Sequence, residues 1–164
     1  MESNNQQQQE EEDIDLFNIK KLEISPETSP ISAAVSFKIH FTLTKHIAHP
    51  IIWKVYYIID YTGKRVINEL YKSEKYQYAS GLVNGEEIVN EIELHTPAMD
   101  EQISQVPRKT LLNVGLLQIK AFQLSGDSEE EGSEEVLSMN MVVHVSKDKQ
   151  DESQLMKAVL NPLE

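Results

Sequence analysis

Between Val35 and Leu43 the chain alternates strictly. Val35, Phe37, Ile39, Phe41 and Leu43 lie on one side, and Ser36, Lys38, His40 and Thr42 on the other. A period of two over such a run predicts a half-buried β-strand. An earlier strand is predicted from Leu16-Phe17 to about Ile24. The segment Ser25-Pro-Glu-Thr-Ser-Pro30 breaks it, since neither proline can donate to a sheet ladder. From Ile51 to Ile59 both faces are apolar. Trp53, Val55, Tyr57 and Ile59 suit a core, which leaves Ile52, Lys54, Tyr56 and Ile58 outside. Such a strand is either covered twice or presents a sticky outer surface. Asp60-Tyr-Thr-Gly63 reads as a turn into a short strand, Val66 to Lys72. Gly81 and Gly85 punctuate a loop before Ile88, Ile92 and Leu94, and Thr96-Pro97 ends that strand.

Residues 98–110 form a polar connection with room for one helical turn. Leu112 to Leu124 and Val136 to Val145 then read as an antiparallel pair. Leu117, Ile119 and Ala121 point inward from the first, and Leu137, Met139, Met141, Val143 and Val145 from the second. Glu152 to Leu160 reads as a short amphipathic helix stopped by Asn161-Pro162. About seven strands with turns roughly every 8–12 residues predict an all-β, immunoglobulin-like β-sandwich. The expected organisation is a disordered Gln/Glu-rich acidic tail over 1–15, the sandwich over 16–147, and a C-terminal tail with a short helix over 148–164.

Composition narrows the function. The chain has 164 residues, a formal net charge of −12 and no cysteine, which excludes disulfides, thiolate metal sites and thiol nucleophiles. The start, MESNNQQQQEEED, has neither the basic end nor the apolar run of a secretory signal, and no apolar stretch has the length of a bilayer span. An intracellular protein is expected, with no membrane partner. The charge is local. Residues 1–15 carry Glu2, Glu10, Glu11, Glu12, Asp13 and Asp15, and a second run holds Asp127, Glu129, Glu130, Glu131, Glu134 and Glu135. Removing these twelve acids from 27 leaves 15 against 15 Lys and Arg, so the rest is neutral. Such runs are usually a solvated fringe; their sharper use is to attract a basic protein. Direct nucleic-acid binding is not expected, because no basic stripe is present.

Little supports catalysis. The six glycines are scattered and form no phosphate loop, and no serine sits in a nucleophile elbow. His40, His46 and His49 form one cluster in which the two imidazoles of His46-x-x-His49 could meet a metal, but loop histidines are more often merely solvated. No catalytic residue, metal or cofactor is therefore expected. Ser25-Pro26 and Ser29-Pro30 have the form of proline-directed phosphorylation sites, and Ser128 before Glu129-Glu-Glu131 that of an acid-directed one. The remaining chemistry is binding surface. Val114, Leu116, Gln118, Lys120 and Phe122 form the outward side of one strand, and Val136, Ser138, Asn140, Val142 and His144 that of its neighbour. This face is a candidate docking patch, unless the chain's own tail covers it.

The order of features resembles the anti-silencing-function family of histone chaperones. It runs from about Leu16 to Gln154: a strand ending in a Pro-containing turn (Ser25-Pro26 to Ser29-Pro30), a long alternating strand, and a Trp-Lys-aliphatic strand at Trp53-Lys54-Val55. Then come a Gly-x-x-x-Gly loop at Gly81 to Gly85, the Thr96-Pro97-Ala98 connection, and a Val-Gly-aliphatic strand at Val114-Gly115-Leu116. The resemblance implies an immunoglobulin-like sandwich that binds the histone H3–H4 dimer, hence a nuclear location. It also marks departures. The family's aliphatic anchor three positions after the strand glycine falls on Gln118. An arginine and a tyrosine of its last strand fall on Ser138 and Val142, and an acidic residue falls near Tyr76. Two alternatives accompany it. One is a structural subunit of a cytoskeletal or ciliary assembly, cytoplasmic or cytoskeletal and without histone binding. The other is a lipid-carrying sandwich with an apolar slot between its sheets.

Overall fold

The computed structural model describes residues 15–163 other than 62, 113 and 127. Phe17–Ser25 (β1), Ser36–Leu43 (β3) and Asn90–His95 (β8) form an antiparallel sheet in the order β1-β3-β8. Thr28–Pro30 (β2), Ile51–Tyr61 (β4), Lys64–Lys72 (β5), Gly115–Leu124 (β9), Ser133–Lys147 (β10) and Leu155–Val159 (β11) form a second, ordered β2-β11-β10-β9-β4-β5. A small hairpin, Leu82–Val83 (β6) with Glu86–Glu87 (β7), turns at Asn84 and Gly85, both at positive φ. That conformation suits the tight turns that match strand twist. Two short helices, Asp100–Ser104 (α1) and Arg108–Leu111 (α2), fill the expected polar connection.

The two sheets share one core. Phe37, Ile39 and Phe41 of β3 meet Trp53, Val55 and Tyr57 of β4, with Leu117, Ile119, Met141 and Val143 behind them, all buried. Phe17, Phe41 and Trp53 pack ring to ring at 5.1–5.7 Å, and the Trp53 Nε1–H donates to Tyr78 Oη at 2.8 Å. A buried indole thus keeps its hydrogen bond. Gly115 faces Tyr57 so closely that a Cβ there would stand 2.9 Å from the phenol oxygen, so the strand needs its glycine. Trp53, Phe37, Phe41, Leu94 and Met99 are fully buried between the sheets. The slot that a lipid carrier would need is filled with side chains.

Three expectations are corrected. The C-terminal segment is a strand, not a helix: β11 pairs with β10 from Val143↔Val159 to Lys147↔Leu155 and with β2 from Met156↔Pro30 to Ala158↔Thr28. Leu155, Lys157 and Val159 point inward, and the partners on either side supply a ladder that no isolated helix could match. The sandwich consequently runs past residue 147 into the stretch expected to be a tail. The Ser25–Pro30 segment does not merely break a strand. Its second half is β2, which tolerates Pro30 because it is an edge strand. Val136, assigned to the outward side, sits at a bulge between Glu135 and Leu137 and packs against the core with Leu137. The extra residue at a bulge locally breaks the alternation.

Candidate docking face

Directly paired residues of an antiparallel sheet share a face, so the register writes out the outer surface of the six-stranded sheet row by row. One row is apolar across four strands and the residue that follows a fifth. Leu160, whose N–H donates to Val142 O just past β11, is followed by Val142, Leu116, Ile58 and Ile67. Leu160 is 53% exposed, Val142 41% and Ile67 58%, while Ile58 in the middle is buried at 7%. Val114, 58% exposed, precedes β9 at the same end. The next row is polar: Asn140, Gln118, Tyr56 and Glu69, with Gln118 Nε2 donating to Asn140 Oδ1 at 2.8 Å.

The third row carries Ser138, Lys120, Lys54 and Lys72. Like charges directly opposite one another destabilise a sheet, so this row needs counter-charge. Lys120 meets Glu135 at 2.5 Å, and Lys54 meets Glu69 at 3.1 Å and Glu129 at 3.8 Å. Glu129 also pairs with Lys72. The Lys72 ammonium holds the Glu129 carboxyl below its ordinary range. The last row is Glu135, Phe122 and Ile52, with Lys54 Nζ lying 5.5 Å from the Phe122 ring centre, a cation–π distance.

The acidic run therefore folds back beside the face. Glu129–Glu131 form a turn of 3-10 helix, and Gly132 N–H bonds to Glu129 O. Glu129 and Glu135 are committed to lysines, while Glu131 and Glu134 are exposed. Asp127 and the Glu130 side chain lie outside the described residues, as do residues 1–14 of the expected acidic tail.

The predicted patch residues Leu116, Gln118, Lys120, Phe122, Ser138, Asn140 and Val142 thus come together on one surface, with Val114 at its edge. Sequence reasoning missed Ile67 and Leu160, which complete the apolar row, and Lys72, which anchors the acidic run. Their only signal is register, which needs strands far apart in sequence to be paired. Tyr76 is not on this face; it bridges to Ile51 and stacks on Tyr78 at 6.0 Å.

The opposite face, on the three-stranded sheet, is tiled with charge. Lys38 meets Glu91 at 3.1 Å and Glu93 at 3.8 Å, and His40 lies 3.7 Å from Glu91. Ser36 Oγ and His95 Nδ1 are hydrogen-bonded at 2.8 Å. His46 and His49 are exposed on the β3–β4 connection, and among the described residues no three acidic or histidine groups gather as a metal set. Among the described residues no helix is long and apolar enough to cross a membrane. No protein-family model matches the chain, and no curated protein matches it at a significant level.

Proposed function

We propose that this chain is a non-catalytic binding module that seats a protein partner on the outer face of its six-stranded sheet. The observation that carries this reading is the apolar row from Leu160 through Val142, Leu116 and Ile58 to Ile67, uncovered at both ends and in the middle of β10. Apolar side chains aligned across four strands and Leu160 recover their burial only when something covers them. An apolar anchor beside polar, hydrogen-bonding neighbours is the composition of a docking surface.

The partner we propose is the H3–H4 dimer, with a role in chromatin assembly and a nuclear location. The family resemblance supports this. So does the acidic run held at the margin of the face, with exposed Glu131 and Glu134 available to a basic protein. A second reading, an interaction subunit of a cytoskeletal or ciliary assembly, draws on a specific observation. Gln118 occupies the position of the family's aliphatic anchor and spends its amide on Asn140, and a row of three lysines crosses the face beside it.

The test is titration of H3–H4 with the full chain at about 0.15 and 0.3 M salt, alongside Val142→Asp and Ile67→Asp. Micromolar or tighter binding that survives the higher salt, and falls roughly tenfold or more in either variant, is expected of a desolvated apolar anchor. Binding that disappears with salt and ignores both substitutions would be generic charge attraction and would retire the histone reading. No binding at all would leave the second reading, to be pursued with the same two variants as controls.

A further inference from the structure

The acidic run holds a serine that partner docking leaves unused. Ser128 is followed by Glu129, Glu130 and Glu131, the downstream carboxylates that an acid-directed protein kinase reads with its own cations. Its backbone is extended, with φ −140° and ψ 159°, and its side chain makes no capping bond to the turn that follows. Ser128 also helps to wall a surface recess of about 480 Å³ with Ile52, Lys72, Ser73, Glu74, Lys75 and Glu129. Two lysines therefore line the same recess as Ser128.

We propose that Ser128 is phosphorylated by an acid-directed kinase, and that the phosphate clamps the acidic run onto Lys72. In the transfer, the Ser128 Oγ–P bond forms as the bond between the γ-phosphorus of ATP and its β–γ bridging oxygen breaks. ADP leaves, and the hydroxyl proton passes to the kinase's catalytic carboxylate. The product carries about −1.5 to −2 charge near neutral pH and three acceptor oxygens. Glu129 presents one carboxylate to Lys72, and a phosphate on the neighbouring residue competes for that ammonium with more charge and more acceptors. Glu129 then keeps Lys54, from which it is already 3.8 Å away. Glu74 lines the recess too and opposes the phosphate, so Lys72 must outweigh it for the clamp to close.

The experiment uses the full chain, casein kinase 2 and ATP, with the site mapped by mass spectrometry in the wild type, Ser128→Ala and Lys72→Gln. Lys72 is an exposed edge-strand residue, so its substitution leaves the core untouched. The expected result is one major phosphate on Ser128, absent from Ser128→Ala. Amide exchange over residues 125–133 then slows on the order of tenfold, the equivalent of one added charge-assisted hydrogen bond. That slowing is lost in phosphorylated Lys72→Gln. No incorporation, or a phosphate on Ser125 or Ser133 instead, overturns the site. Exchange that is unchanged or faster, or slowing that persists in Lys72→Gln, overturns the clamp. Neither readout involves H3–H4, so this proposal fails or stands apart from the docking one.

Discussion

Lys157 carries an ammonium into the core at 1% exposure, where Nζ donates to Ile31 O at 2.8 Å and Ala33 O at 2.5 Å. Two carbonyls match the two N–H groups of a neutral amine, and the third proton of the ammonium adds a charge that the interior solvates poorly. Burial accordingly pulls its pKa down from 10.5 to about 8. The folded state then holds fewer protons than the unfolded chain between those values, so stability rises with pH across that window. The contribution is complete above pH 10.5 and is lost as pH falls through 8. Urea unfolding of the wild type and Lys157→Met at pH 7 and 10 isolates it, because the other titrating groups are common to both. The wild type should gain about 2 kcal/mol on the variant over that interval. A difference that stays flat would mean that water reaches the ammonium.

The same lysine explains which elements were legible. Strand β3 and most of β10 announce themselves because their inward residues are all apolar and their outward ones mostly polar, so periodicity and burial coincide; β9 announces itself through its inward Leu117, Ile119 and Ala121, although Leu116 and Phe122 stand outward beside Gln118 and Lys120. In β11 the inward set is Leu155, Lys157 and Val159. The charged residue breaks the alternation and leaves Leu155, Ala158 and Val159 at helical spacing, so the pattern points to the wrong element. The strands of the candidate docking face were readable one at a time, whereas the row joining Leu160 to Ile67 was not, since no local pattern specifies that β11 flanks β10 or that β5 flanks β4. The strand assignment has a consequence for stability. Truncation after Lys147 removes a ladder from both β10 and β2 and uncovers the buried Val143 and Val145. The shortened chain should lose cooperative unfolding, followed through the fluorescence of its single tryptophan, Trp53. A truncated chain that unfolds at the wild-type midpoint would make β11 an accessory rather than part of the sandwich.

At the scale of the whole molecule the two outer faces differ in chemistry. Exposed ion pairs on the three-stranded sheet contribute little stability, but they keep that face wet. The six-stranded face concentrates apolar surface at one end and the acidic run at the other, with the lysines between them neutralised by Glu69, Glu129 and Glu135. For a basic partner such an arrangement separates rate from residence. Charge acts at a distance on encounter, whereas desolvated apolar contact sets how long the complex lasts. Changing Glu129, Glu130, Glu131 and Glu134 to glutamine removes four negative charges, and it also strips Lys72 and part of Lys54 of a counter-ion that shields a basic partner from them. Association with the proposed partner, H3–H4, at low salt should therefore slow by roughly tenfold in stopped-flow or surface-binding kinetics, and dissociation should change far less. Raising the salt to about 0.3 M should erase most of the difference between the two proteins. If dissociation accelerates instead while association holds, the carboxylates touch the partner directly, and the contact surface extends from the apolar row across the lysines to the acidic run itself.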